Sequence, residues 1–237
     1  MFDYSTIPIG YYDGIFNRRA GIQSKWHHLK FSLFAEQLTA RSTHLDIGCG
    51  PGTFIGLLPS GQHSVGVDIA QEQIAYATTD HSSETKTFLR VDRLPYPFPD
   101  GSFDAVTIIE LLEHLSPEDG IAVLNESYRL LAPGGSVFVS TPNYSSLWPL
   151  VERIVNRMAT VSYRDQHITQ YTPAKLLGLL RAAKFGPSRC QAYQGFSFLG
   201  AAIHWRLPDF LQALERHITF SRYGLLLFAV GTKPVCR

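Results

Sequence analysis

The stretch His44-Leu45-Asp46-Ile47-Gly48-Cys49-Gly50-Pro51-Gly52-Thr53-Phe54 constrains this chain more than any other. An apolar run meets glycines at alternate positions and passes into a helical pattern. Glycine has no Cβ to hold a ligand away from the backbone, and it enters left-handed φ without steric cost. A strand, a tight glycine turn and a helix in that order belong to an α/β layer whose ligand crevice lies at the carboxyl ends of the strands.

The rest of the chain keeps that rhythm. Short apolar runs predict strands over 43–47, 64–68, 87–91, 103–109 and 136–141. Amphipathic stretches between them predict helices over 52–58, 71–79 and 117–131, with Pro133-Gly134-Gly135 expected to stop the third and turn the chain into the next strand. A helix over 173–184 and strands near 189–193 and 225–233 complete a doubly wound, mostly parallel α/β sheet. At 237 residues the chain suits one domain over 1–237. Residues 1–40, with a helix over 25–40, are expected to cap the open end of the site, and the aromatic, basic stretch 143–172 to form a helical lid.

Two more strand ends carry acids. Val65-Gly66-Val67-Asp68-Ile69 puts a carboxylate where it can accept both hydroxyls of a ribose, and Val91-Asp92-Arg93-Leu94 puts one within reach of an adenine amino group. The glycine spacing is Gly-x-Gly-x-Gly after an acid, not the Gly-x-Gly-x-x-Gly that cradles a pyrophosphate. A pyrophosphate wants a helix N-terminus aimed at its charge. A sulfonium amino acid instead wants a carboxylate, Asp46, near its ammonium group.

Through LDIGCGPG, VGVDIA, FPDGSFDAVTIIELLEHL and LLAPGGSVFVSTPN, in that order, the chain resembles the class I methyltransferases. The resemblance covers about residues 43 to 185. It implies a seven-stranded sheet of order 3-2-1-4-5-7-6 with the seventh strand antiparallel, and S-adenosylmethionine across the carboxyl ends of strands 1 to 4. By position it assigns Asp46, Gly48, Cys49, Gly50 and Gly52 to the methionine part, Asp68 and Ile69 to the ribose, and Asp92, Arg93 and Leu94 to the adenine. Glu110, after strand 4, would lie beside the methionine part and the acceptor.

Methyl transfer from a sulfonium is an in-line displacement with a good leaving group, so alignment and water exclusion are its main demands. A hydroxyl acceptor also has to lose its proton, to a general base or with help from a metal. Glu110-x-x-Glu113-His114 and the later His167, before Tyr171-Thr172-Pro173, resemble the ubiquinone-pathway O-methyltransferases and the small-RNA 2′-O-methyltransferases. That resemblance implies Glu110, Glu113, His114 and His167 as ligands of Mg²⁺ or another divalent ion; Glu113, His114 and His167 are equally candidates for metal-free acid–base work. The alternative to both is a structural role, in which these groups start a helix or hold a loop.

Composition narrows the partners. Twenty-one Lys and Arg face twenty Asp and Glu, so no global field favours nucleic acid, and the RNA enzymes are set aside. Three cysteines without a CxxC pair suit a reducing cytosol. No basic start precedes an apolar core at the N-terminus, so the expected location is cytoplasmic. Tyr144, Trp148, Leu150 and Val151 in the lid, with Phe196, Phe198, Leu199, Trp205 and Leu207 near the end, suit an apolar small-molecule acceptor. Phe210, Leu211 and Leu214 read first as a core-facing helix stripe. Arg206, Arg216, His217 and Arg222 nearby allow peripheral membrane contact. The expectation is O-methylation of a small, partly apolar acceptor; the alternatives are N- or C-methylation, or a non-catalytic protein that binds the same donor.

Overall fold

The computed structural model describes residues 8–39, 42–158, 167–217 and 223–235. Its centre is a seven-stranded sheet of order β3-β2-β1-β4-β5-β7-β6. The strands are β1 (His44–Ile47), β2 (Ser64–Asp68), β3 (Lys86–Arg90), β4 (Phe103–Ile109), β5 (Leu131–Pro142), β6 (Ser188–Tyr193) and β7 (Leu226–Thr232). The first five run parallel, and β7 is antiparallel to both neighbours. The order reverses direction between β1 and β4, the switch point where open α/β sheets bind their ligands.

Alternation along each strand sorts side chains between two cores. Leu45, Ile47, Val106, Ile108, Val137, Val139, Leu227 and Ala229 meet α5 (Pro117–Leu130) and α7 (Pro173–Ala182) on one face. Ala105, Phe138, Phe228 and Val230 meet Phe16 of α1 (Tyr11–Asn17), Phe31 and Phe34 of α2 (Gly21–Ala35) and Phe54 of α3 (Thr53–Leu57) on the other. Helix α4 (Gln71–His81) packs beside β3 and β2. Helix starts are capped where the sequence supplies a cap. Ser116 accepts from the Asp119 N–H at 3.1 Å with Pro117 behind it, and Thr172 accepts from Lys175 with Pro173 behind it.

Three expectations need correction. Helix α2 starts at Gly21 and ends at Ala35, and α1 precedes it. Strand β5 starts at Leu131, so Pro133-Gly134-Gly135 lies inside it as an irregularity: pairing to β4 jumps from Leu131 to Ser136. Gly134, at φ 86, instead donates to the Lys233 carbonyl, so the glycines bend a strand rather than precede one. Lastly, α8 (Leu207–His217) leaves Phe210 64% and Leu214 44% exposed. That helix rests on the 3-10 segment Ser197–Ala202 and turns those two residues outward.

The lid carries helix α6 (Trp148–Met158). With α2 and the 3-10 segment it closes a third cluster in which Trp148, Phe198, Leu29 and Leu225 are buried against Trp26, Tyr144 and Val151. Among the described residues, no helix is long and apolar enough to cross a membrane. Asp165, Gln166, Arg222 and Cys236 lie outside the described residues, as does the lid over 159–166.

Candidate active site

The tips of β1, β2 and β4 converge around the glycine turn. Asp46 is 3% exposed at the end of β1, where period-two alternation turns it and His44 to the α2 side. Its Oδ1 accepts from the Thr107 hydroxyl of β4 at 2.5 Å. That hydroxyl contacts His44 Nε2 at 2.8 Å, and His44 Nδ1 contacts Ser64 Oγ at 3.1 Å. Burial pulls the His44 pKa down to about 3, so the ring is neutral. When Asp46 is ionised the Thr107 proton goes to it, and His44 Nε2–H then donates to Thr107 while Ser64 donates to Nδ1. Burial, with a smaller push from Asp68, raises the Asp46 pKa to about 7 against the pull of Thr107.

Asp68 ties the turn together. One oxygen accepts from the Gly50 N–H and the other from the Ala70 N–H, each at 2.8 Å. Burial raises its pKa, while those two backbone donors and that of Ile69 pull it down. A carboxylate has about four acceptor positions, so lone pairs remain for a sugar.

The three glycines answer to different constraints. A Cβ on Gly48 would touch Leu111, and one on Gly52 would lie 2.7 Å from Phe88 and 2.8 Å from Ala77. At Gly50, φ is +51 and a Cβ would meet nothing within 4 Å. Gly52 therefore serves packing against β3 and α4, and only Gly50 borders open space. Cys49 is buried beside Gly66, and burial raises its thiol pKa well above the ordinary value. On the adenine side, Asp92 is half-exposed and pairs with Arg90 at 3.3 Å; Ile69, Arg93 and Leu94 are exposed.

Beyond β4, Glu110 takes the left-handed conformation (φ 51), uncommon without glycine, and its N–H donates to the Ser140 carbonyl. Its carboxylate pairs with the buried Lys30 of α2. The next turn, a 3-10 segment Leu112–His114, presents Glu113 and His114. Thr169 binds its N–H to the Glu113 carbonyl at 3.0 Å and its hydroxyl to the Leu115 carbonyl at 2.6 Å, which brings in His167. One ligand atom each of Glu113, His114 and His167 lies within 4.8 Å of the others. Of the four expected ligands, these three gather, while Glu110 is held by Lys30. Burial raises the Glu113 pKa to about 7, helped by Glu110 and opposed by His167. Its buried Oε2 has no hydrogen-bond partner among the described residues, nor do the Trp148 Nε1 and the Tyr171 hydroxyl.

Two groups were not visible in the motifs. Lys30 and Glu152 are ordinary helix residues in sequence, and only folding puts them on Glu110 and His167. Glu152 Oε1 lies 2.5 Å from His167 Nδ1. Asn143, at the end of the fourth motif, is fully buried and sews β5 to the turn before β7, donating to the Gly224 carbonyl at 2.8 Å.

Residues 45–139 match the family described as Methyltransferase domain. The chain belongs to the S-adenosylmethionine-dependent methyltransferases. This methyltransferase is 29% identical to the demethylmenaquinone methyltransferase of Thermus thermophilus, over 89% of its own length and 88% of that protein. It is 38% identical to the ubiquinone biosynthesis O-methyltransferase of Dechloromonas aromatica, over 42% of its length and 44% of that protein. Its fold is shared with an S-adenosylmethionine-dependent methyltransferase from Thermotoga maritima, at TM-score 0.63 and 17% identity over 94% of both chains. It is also shared with the [4+2]-cyclase SpnF, at TM-score 0.62 and 22% identity over 92% of this chain and 84% of the other. The second likeness shows that this fold alone does not fix the chemistry of the acceptor.

Proposed function

We propose that this methyltransferase moves the methyl of S-adenosylmethionine to a hydroxyl of a small, partly apolar acceptor. The observation that carries the reading is the meeting of Glu113, His114 and His167 just beyond the β4 tip, beside the donor crevice and under Trp148. Asp46 and Gly50 would receive the methionine part, Asp68 the ribose, and the Asp92–Leu94 loop the adenine. The acceptor oxygen attacks the methyl carbon, the carbon–sulfur bond breaks with its electron pair on sulfur, and S-adenosylhomocysteine leaves. The hydroxyl proton must go elsewhere, and the three-residue group supplies that role.

Two imidazoles and a buried carboxylate with an unpartnered oxygen fit a divalent cation. Such an ion, bound there, would lower the pKa of the acceptor hydroxyl. Glu113, His114 and His167 would hold it, and Trp148 with Tyr144 would keep water out. A second reading, favoured by the close Glu152–His167 contact, makes His167 the base with no metal. The names of the Thermus and Dechloromonas relatives both concern quinones, which supports a hydroxylated quinol as the acceptor to try first. The outward face of α8, with Phe210 and Leu214 exposed, supports contact with a membrane surface carrying such a molecule.

The test is turnover of a short-tailed hydroxyquinol, with mass spectrometry locating the new methyl. Methyl on oxygen, abolished by His167→Ala with donor binding intact, is the expected result. Loss of turnover with a chelator and its return with Mg²⁺ or Mn²⁺ selects the metal; chelator-insensitive turnover selects the base. A methyl on carbon or nitrogen would replace this reading by C- or N-methylation.

A further inference from the structure

We propose that His44 is a positioning residue for the donor: it keeps the Thr107 hydroxyl turned to Asp46, and so holds that carboxylate ready for the methionine ammonium. The inference deepens the proposed function and rests on Asp46 receiving the methionine part. Parallel strands buried on both faces read as apolar runs. Here three neighbouring strands instead place Ser64, His44 and Thr107 side by side, none more than 2% exposed. Burying three polar side chains is costly unless each satisfies another. Ser64 stands opposite His44 on β2. On β4 the residue opposite is Ala105, and the ring reaches past that short side chain to Thr107, which stands opposite Asp46. Phe54 meets the ring edge to face, with centroids 5.8 Å apart.

A neutral imidazole has one N–H and one lone pair, so the chain of groups admits two arrangements. In the first, Ser64 donates to Nδ1, Nε2–H donates to Thr107, and Thr107 donates to Asp46. In the second every bond is reversed: a protonated Asp46 donates to Thr107, Thr107 donates to Nε2, and Nδ1–H donates to Ser64. Both satisfy the contacts at 3.1, 2.8 and 2.5 Å. Only the first leaves Asp46 as a carboxylate. An ammonium pairs with an ionised acid, so the bound donor selects the first arrangement and with it the Nε2–H form of His44.

His44 supplies what Thr107 alone lacks. A hydroxyl has one proton and rotates to suit its neighbours. With Nε2–H donating to its oxygen, the Thr107 proton has Asp46 Oδ1 as its acceptor, and Oδ2 is left for the ammonium. Burial raises the Asp46 pKa and the Thr107 hydrogen bond pulls against it, so a hydroxyl turned elsewhere weakens the counter-charge that the donor meets. Burial keeps His44 itself neutral, with its pKa pulled down to about 3. It therefore acts through the direction of an N–H and not through charge.

The experiment is calorimetric titration with S-adenosylhomocysteine, at one pH, of a double-mutant cycle over His44→Leu and Thr107→Val. Each single variant should weaken binding about 2- to 10-fold, the scale of one lost hydrogen bond. The double variant should bind no worse than Thr107→Val, because His44 acts only through that hydroxyl. His44→Gln, whose amide offers an N–H in place of Nε2–H, should recover most of the affinity. Wild-type affinity in His44→Leu, losses that multiply in the double variant, or a His44→Gln as weak as His44→Leu overturns the inference. ¹⁵N NMR of the full wild-type chain with S-adenosylhomocysteine bound reads the ring directly, its signals being those absent from His44→Gln. A protonated Nε2 and a bare Nδ1 are expected, and a proton on Nδ1 overturns the inference. Asp46→Ala separates the two readings. Unchanged affinity there removes Asp46 from the methionine part and the inference with it, whereas weak binding there beside wild-type binding in His44→Leu overturns the inference alone.

Discussion

Asp46 stands at the end of a line of polar groups, Ser64, His44 and Thr107, that crosses the sheet beneath the glycine turn. In the unfolded chain it titrates at its usual 3.8, and in the fold at about 7. The folded state holds that proton more tightly, so between those values the protein loses stability as pH rises, and the loss is complete above about 7. Replacing Asp46 by Asn should raise the melting temperature of the ligand-free protein at about pH 8, by an amount that shrinks as the pH falls and vanishes below about 3.8. The same variant should bind S-adenosylmethionine poorly, as calorimetry would show. The glycines give a contrasting pair. Gly52→Ala should lower the melting temperature sharply, because its Cβ has no room against Phe88 and Ala77. Gly50→Val should cost on the order of 1–2 kcal/mol for its left-handed backbone but fold, and should block donor binding by filling open space. The sequence shows that all three glycines are there for the backbone, but not which faces a ligand and which a phenylalanine. That depends on Phe88, thirty-six residues beyond Gly52, and on how β3 lies against the turn.

Among the elements, helix α2 is more than a cover. Lys30 pairs with Glu110 and Lys25 with Asp209 of α8, so the helix is fastened to the site at one point and to the C-terminal helix at another. Lys30→Met should leave Glu110 without its counter-charge and cost on the order of 1–3 kcal/mol, below the range for a fully buried pair because Glu110 still reaches water. A denaturant midpoint measures that loss. Helix α8 tests a different property. Asp209 pairs with Lys25 and Glu215 accepts from the Phe196 and Ser197 N–H groups, while Phe210 and Leu214 of the same helix are exposed. Phe210→Ser with Leu214→Ser should abolish sedimentation with anionic vesicles while leaving donor binding unchanged; equal sedimentation of both proteins would remove the membrane reading. Periodicity identified these residues as sharing one face, but a shared apolar face is silent on whether anything covers it. The Pro-Gly-Gly segment misled for a related reason: turn residues also make bulges, and only pairing to β4 and β7 distinguishes the two.

For the molecule as a whole, the strand order and the antiparallel β7 are those that the resemblance to the class I methyltransferases implied; the motifs by themselves mark only the strand tips. The acceptor side was much less legible. Its groups come from β4, the lid and α2, which lie far apart in sequence, and their meeting depends on backbone bonds such as that from Thr169 to Glu113. Burial raises the pKa of three carboxyl groups, Asp46, Asp68 and Glu113, which stand at or just beyond the tips of neighbouring strands. Such a cleft behaves like a weak-acid ion-exchange resin, holding protons until a better cation displaces them. S-adenosylmethionine brings two positive centres, an ammonium and a sulfonium, and S-adenosylhomocysteine keeps only the first. Each turnover would therefore discharge the resin by one unit, and the returning proton would help to expel the spent donor.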